Sequence, residues 1–151
     1  MTIDEILAEF GKRSGMENLG RDGNGVCRLV FDEIFDVDIE LYDDQVSIFA
    51  IIGSVEDVDG GMLRVMLAAN LDGADTGNAT LAVDELSESV VLCRRLPVAG
   101  LTYPTFEHAL EDFVHGFQRW RLKLDGHETE DDVALDADAF AREPSLHMLR
   151  L

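Results

Sequence analysis

The stretch from Gly60 to Asp84, GGMLRVMLAANLDGADTGNATLAVD, limits the possible folds more than any other. Met62, Leu63, Val65, Met66, Leu67, Ala68, Ala69 and Leu71 point in every direction around a 3.6-residue turn, and only Arg64 and Asn70 interrupt them. A short helix that is apolar all round has to be covered all round. In a chain with one sheet, the sheet covers one side, and the simplest lid for the other is a second copy meeting the same patch across a two-fold axis. The expected dimer seam is Leu63, Met66, Leu67, Asn70 and Leu71.

With 151 residues the chain is long enough for one sizeable core and short for two domains. Lys and Arg number 12 against 31 Asp and Glu, a net charge of −19, which disfavours nucleic acid and anionic membranes as partners. The 46% hydrophobic content argues for folding in spite of that charge. No apolar run approaches membrane-spanning length and the N-terminus, MTIDEILAEF, is no basic secretory leader, so a soluble, unexported protein is expected. Cys27 and Cys93 lie in alternating apolar runs away from any CxxC, which reads as buried free thiols in a reducing cytoplasm.

Thr2 and Glu5 form a capping box for a first helix that runs to about Arg13, with Ile3, Ile6, Leu7 and Phe10 on its inner stripe. The period then changes to two. Strands are predicted at Val26 to Phe31, Asp36 to Leu41 and Val46 to Ile52, the last apolar on both faces. After the apolar helix, Ala79 to Val83 and Ser89 to Arg95 read as a hairpin, broken at Pro97. A last helix opens at Tyr103-Pro104 and carries Phe106, Leu110, Phe113, Phe117, Trp120 and Leu124 on one stripe. The predicted fold is α+β: five mainly antiparallel strands and three helices in the order α-β-β-β-α-β-β-α. One domain, residues 1–125, is followed by an acidic and apolar C-terminal extension, residues 126–151.

Candidate chemistry is sparse. DVDGG, from Asp57, begins like a calcium loop, but its glycine comes too early and the closing acid is replaced by the apolar helix. His108, Asp112 and His115 share one helical face that could seat zinc, yet a third strong ligand is missing nearby in sequence and the face is the polar one. His127 and His147 stand in polar or tail segments. No GxGxxG follows a strand and no GxxxxGK[ST] occurs. The inventory favours a binding protein over an enzyme, with no cofactor, no ATP and no metal. Two other classes are weaker alternatives: an acidic protein-binding module that mimics nucleic acid or inhibits a DNA-binding protein, resting on charge alone, and a small metal-binding protein, resting on the histidine face.

The element order, with the blocks LAEFGKRSGMENL, GVCRLVFDE, MLRVMLAANLDGADTGNATLAVD and VVLCRRLPVAGLTYPTFEHALEDFVHGFQRWRLKL, resembles the class I type III secretion chaperones of the CesT/SycE-like (Tir chaperone) family across most of residues 1 to 125. The resemblance implies a bacterial cytoplasmic homodimer that holds the N-terminal segment of one or more secreted effectors extended and secretion-competent. The secretion ATPase is a further candidate partner. It also implies that the Met62 to Leu71 helix is the dimer seam. A segment wrapping a folded dimer needs apolar grooves for its side chains, and often a free sheet edge for its backbone. Candidates near the first helix and first three strands are Phe10, Met16, Phe31, Phe35 and Phe49, with Phe35 foremost because it is expected in a turn flanked by acids.

Overall fold

The structure, a computed structural model, describes residues 1–126. Its elements are α1 (Ile3–Arg13), β1 (Val26–Phe31), β2 (Phe35–Tyr42), β3 (Gln45–Ser54), α2 (Gly60–Ala69), β4 (Thr80–Asp84), β5 (Ser89–Pro97) and α3 (Tyr103–Leu124), with a single 3-10 turn at Val55–Asp57. The order matches the expected one. Ends differ by a residue or two, chiefly because β2, β3 and β5 extend further into their turns and α2 stops at Ala69, where Asn70 turns its side chain elsewhere. The expected extension beyond residue 126 lies outside the described residues.

Five antiparallel strands form one sheet in the order β1-β2-β3-β5-β4. The hairpin joining β2 to β3 turns at Asp43-Asp44, and Asp43 takes φ +53°, a left-handed value that aspartate tolerates better than most residues. Val37, Ile39, Val46, Ile48, Ala50 and Ile52 alternate inward on β2 and β3 and are buried. On that face α3 crosses β3, and α1 packs on α3. The α3 stripe of Phe106, Leu110, Phe113, Phe117 and Trp120 is enclosed, and each such side chain contributes about 1.5–3 kcal/mol. Phe10 of α1 meets Phe106 edge to face at 6.2 Å. The capping box forms as read: Thr2 Oγ1 accepts from the Glu5 backbone N–H (3.2 Å), and Glu5 Oε2 accepts from that of Thr2 (2.7 Å).

The segment between α2 and β4 is tied down at many points. Thr76 is fully buried and its hydroxyl donates to the Ala79 carbonyl at 2.7 Å. Trp120 Nε1 donates to the Asp75 carbonyl, and Arg94 donates to the Gly77 carbonyl, both at 3.0 Å. The loop also packs directly on the α3 backbone: a Cβ at Gly77 would lie 2.1 Å from the Asp112 carbonyl oxygen, and one at Gly116 would lie 2.6 Å from that of Thr76. These contacts account for the sequence DGADTGNA between two regular elements.

Candidate functional site: an apolar groove and an uncovered helix face

The pairing of β2 with β3 runs from Tyr42↔Gln45 to Asp38↔Phe49 and stops. The pairing of β1 with β2 continues to Phe31↔Phe35, while β3 runs on to Ser54 beside β5. The β1–β2 hairpin tip therefore splays away from the second half of β3. The gap is a groove of about 520 Å³, walled by Phe35, Asp36 and Asp38 on one side, Phe49 and Ile51 on the other, and Phe117, Arg121 and Leu122 of α3.

Phe35 stacks between Phe31 (5.4 Å between centroids) and Phe117 (4.1 Å), which fixes the hairpin tip against α3. Ile34 and Ile51 stand largely exposed, at 84% and 52%. Arg28 forks onto Asp38 at 2.7 and 2.8 Å and reaches Asp36 at 3.8 Å, and the hydrogen bonds to Asp38 push its pKa up. Arg121 pairs with Asp125 at 3.4 Å and donates to the Ile52 carbonyl, capping one carbonyl of β3. An apolar trough with a mixed charged rim suits an extended peptide carrying bulky side chains and lacks any reacting constellation.

Of the five residues expected to receive a partner, the structure brings Phe35 and Phe49 to this groove. Phe10, Met16 and Phe31 are instead enclosed in the core, Phe10 against Phe106 and Phe31 beneath Phe35, so they offer no surface. Phe35 belongs to the first position of a strand rather than to a turn. Sequence reasoning missed Ile34, Ile51, Arg121 and Leu122. For Ile51, the signal was present in the second apolar face of the third strand.

The second surface is α2. Met66 faces its own subunit and is 3% exposed, whereas Leu63, Val65, Leu67 and Leu71 are exposed, Leu67 at 72%. Asn70 is spent on β4: its amide nitrogen donates to the Leu81 carbonyl (3.0 Å), and its amide oxygen accepts from the Leu81 N–H (2.8 Å). Two of the expected seam residues are corrected thereby. Met66 is a core residue because the sheet covers that side of the helix, and Asn70 caps an outer strand because its amide matches a backbone donor and acceptor together. The remaining face is Leu63, Leu67 and Leu71, while Val65 is exposed on a different side of the helix.

The histidine face is committed elsewhere. Asp112 lies 3.5 Å from Arg94 and 3.7 Å from His108, and burial pulls the His115 pKa below its usual value. Among the described residues no group of three or more His, Cys, Asp or Glu side chains is placed to hold a metal. Cys27 is buried and Cys93 half-buried, both as free thiols; desolvation raises the Cys27 pKa to about 11, which suppresses its thiolate. Among the described residues no helix is long and apolar enough to cross a membrane.

Comparison with known proteins shows the family. The sequence profile of the Tir chaperone protein (CesT) family matches residues 5–121. The Tir chaperone of Escherichia coli O157:H7 is 23% identical over 120 residues, covering 79% of this chain and 77% of its own. The transcriptional anti-antiactivator ExsC of Pseudomonas aeruginosa PAO1 is 25% identical over 134 residues, 87% of this chain and 92% of its own. Among solved structures, the ExsC–ExsE complex superposes with a TM-score of 0.69 at 26% identity, covering 81% of this chain and 92% of that one. The HopA1–SchA chaperone–effector complex superposes with a TM-score of 0.68 at 19% identity, covering 79% and 92%, a likeness of fold. With the family profile spanning α1 to the last turn of α3, the chain belongs to the Tir chaperone protein (CesT) family.

Proposed function

We propose that this protein is a type III secretion chaperone that binds the N-terminal segment of one or more effectors, keeps it extended and soluble, and performs no catalysis. The observation that carries the reading is the groove opened where β2 leaves β3, lined by Phe35, Phe49 and Ile51, in a member of a family named for a chaperone. Its apolar walls take side chains of an unfolded guest, and the side of β3 that β2 leaves, opposite its pairing with β5, offers strand-like backbone. A cytoplasmic homodimer joined through Leu63, Leu67 and Leu71 presents two such grooves. The high acidity keeps a protein with exposed apolar surface soluble and steers basic stretches of cargo.

The test is co-expression of the full chain with the N-terminal segments of candidate secreted effectors. Co-purification of a stable complex is expected, and Phe49→Asp with Ile51→Asp should abolish it while leaving the chaperone folded and dimeric. Complex formation undiminished by that pair would reject the groove as the cargo site. A second reading, in which the guest is a regulatory protein, is favoured by the broad match to the anti-antiactivator ExsC, and the same variants test it.

A further inference from the structure

We infer that Arg121 bars the side of β3 that β2 leaves, and that a guest strand has to lift its guanidinium from the Ile52 carbonyl before it can pair along β3. The displacement rests on the cargo reading above; the bar does not.

Three observations carry it. First, that side of β3 is open at one residue and blocked at the next. The two-residue turn at Asp43-Asp44 makes Tyr42↔Gln45 a hydrogen-bonded pair, and such pairs recur at Glu40↔Ser47 and Asp38↔Phe49. Backbone groups facing β2 therefore belong to Gln45, Ser47 and Phe49, and the next in that series, past the last β2 pair, is Ile51. Ile52 is the extra residue of a bulge: Ile51 stands opposite Val91 and Gly53 opposite Val90, so Ile52 has no partner residue on β5 either. Its carbonyl accepts from Arg121. The same guanidinium nitrogen lies 4.0 Å from the Cβ position of Gly53, and Leu124 lies 3.6 Å from it. The last turns of α3 thus close β3 from Ile52 onward.

Second, the bar can move. Arg121 is about half exposed, and its Nε has Asp125 one turn on at 3.4 Å, so a guanidinium swung off the carbonyl keeps an ionic partner in solvent. Third, an unbarred strand would be a hazard here. Ile34 and Ile51 stand exposed beside it, and free strand backbone next to apolar side chains recruits any extended chain unless a charged side chain obstructs it. Arg121 makes entry unfavourable for a segment that offers apolar side chains alone. A segment that also presents a backbone N–H to the Ile52 carbonyl replaces the bond it displaces, which separates guests from other unfolded chains.

The full chain tests the bar without a guest and the displacement with one. In the guest-free protein the Ile52 carbonyl carbon resonance should move upfield in Arg121→Ala, as a carbonyl does on losing a charged donor, and should stay in place in Gln118→Ala, on the same wall of the groove. An unmoved signal in Arg121→Ala would overturn the inference. The effector segments that co-purify with the wild type should bind Arg121→Ala at least about tenfold more tightly, the equivalent of one hydrogen bond from a charged donor. Binding is measured in high salt, where the lost charge itself counts for little. Arg121→Lys, which keeps a donor for the carbonyl, should bind like the wild type. Arg121→Met keeps the packed stem without any donor and repeats both measurements should Arg121→Ala fold poorly. Equal affinity would overturn the displacement, because the guest would then stop short of Ile52; weaker binding would overturn it too, because the guanidinium would then hold the guest. An Ile52 signal that responds in a protein whose variants all capture no segment would count against the cargo reading and leave the bar in place.

Discussion

Gly116 shows how a residue judged alone misleads. Within a 22-residue helix, replacing glycine by alanine usually stabilises by about 1 kcal/mol. Here the added methyl would meet the Thr76 carbonyl oxygen at 2.6 Å, a backbone atom that cannot swing aside as a side chain would, so the sign reverses. Gly116→Ala is expected to cost about 1–3 kcal/mol, read as a lower urea midpoint with an unchanged slope. His115 gives a second residue-scale prediction. Burial lowers its folded pKa, outweighing the attraction of Asp112 and assisted by Arg119, so the folded state binds fewer protons than the unfolded one. The stability it supports is full above the unfolded value near 6.5 and is lost as pH falls through the lower folded value. The melting temperature should drop between pH 7 and pH 5, and His115→Gln should flatten that drop. The histidine's position on α3 was readable from the sequence; its burial was not, because the DGADTGNA loop that closes on α3 is ordered by contacts remote in sequence.

At the scale of elements, local signals served well. The Thr2/Glu5 box, proline at the start of α3 and the change of period after Gly25 each act within a few residues, and the elements stand where those signals put them. Asn70 is the exception. Read as part of an apolar helix, it instead ends that helix and covers the outer edge of β4 with two hydrogen bonds to Leu81. Asn70→Ala would expose that backbone, at a cost of about 1–3 kcal/mol, and faster amide hydrogen exchange at Leu81 should report the loss directly. Retained protection there would show that β4 does not depend on the side chain.

Among the described residues the groove and the outer face of α2 both present exposed apolar side chains, and assembly should separate their roles. Leu67→Asp with Leu71→Asp is expected to turn a dimer into a folded monomer, seen as a halved mass in light scattering with unchanged circular dichroism. A wild-type protein already monomeric at micromolar concentration would remove the proposed seam. Met66→Ala should behave differently, lowering stability by about 2–5 kcal/mol through a core cavity, with the dimer intact while the chain remains folded.

What the sequence determined by itself was the order of elements, the single sheet and the need for a lid on α2, since periodicity, caps and apolar density are written over short spans. Only the tertiary structure decided which aromatic side chains are core and which face a guest. Phe31 and Phe35 are four residues apart and chemically identical, yet one is enclosed and the other lines a groove, because β2 loses its pairing with β3 beyond Asp38↔Phe49 and keeps it with β1. That divergence depends on where α3 lies relative to the hairpin, a balance of packing between residues some eighty positions apart, and no local pattern encodes it.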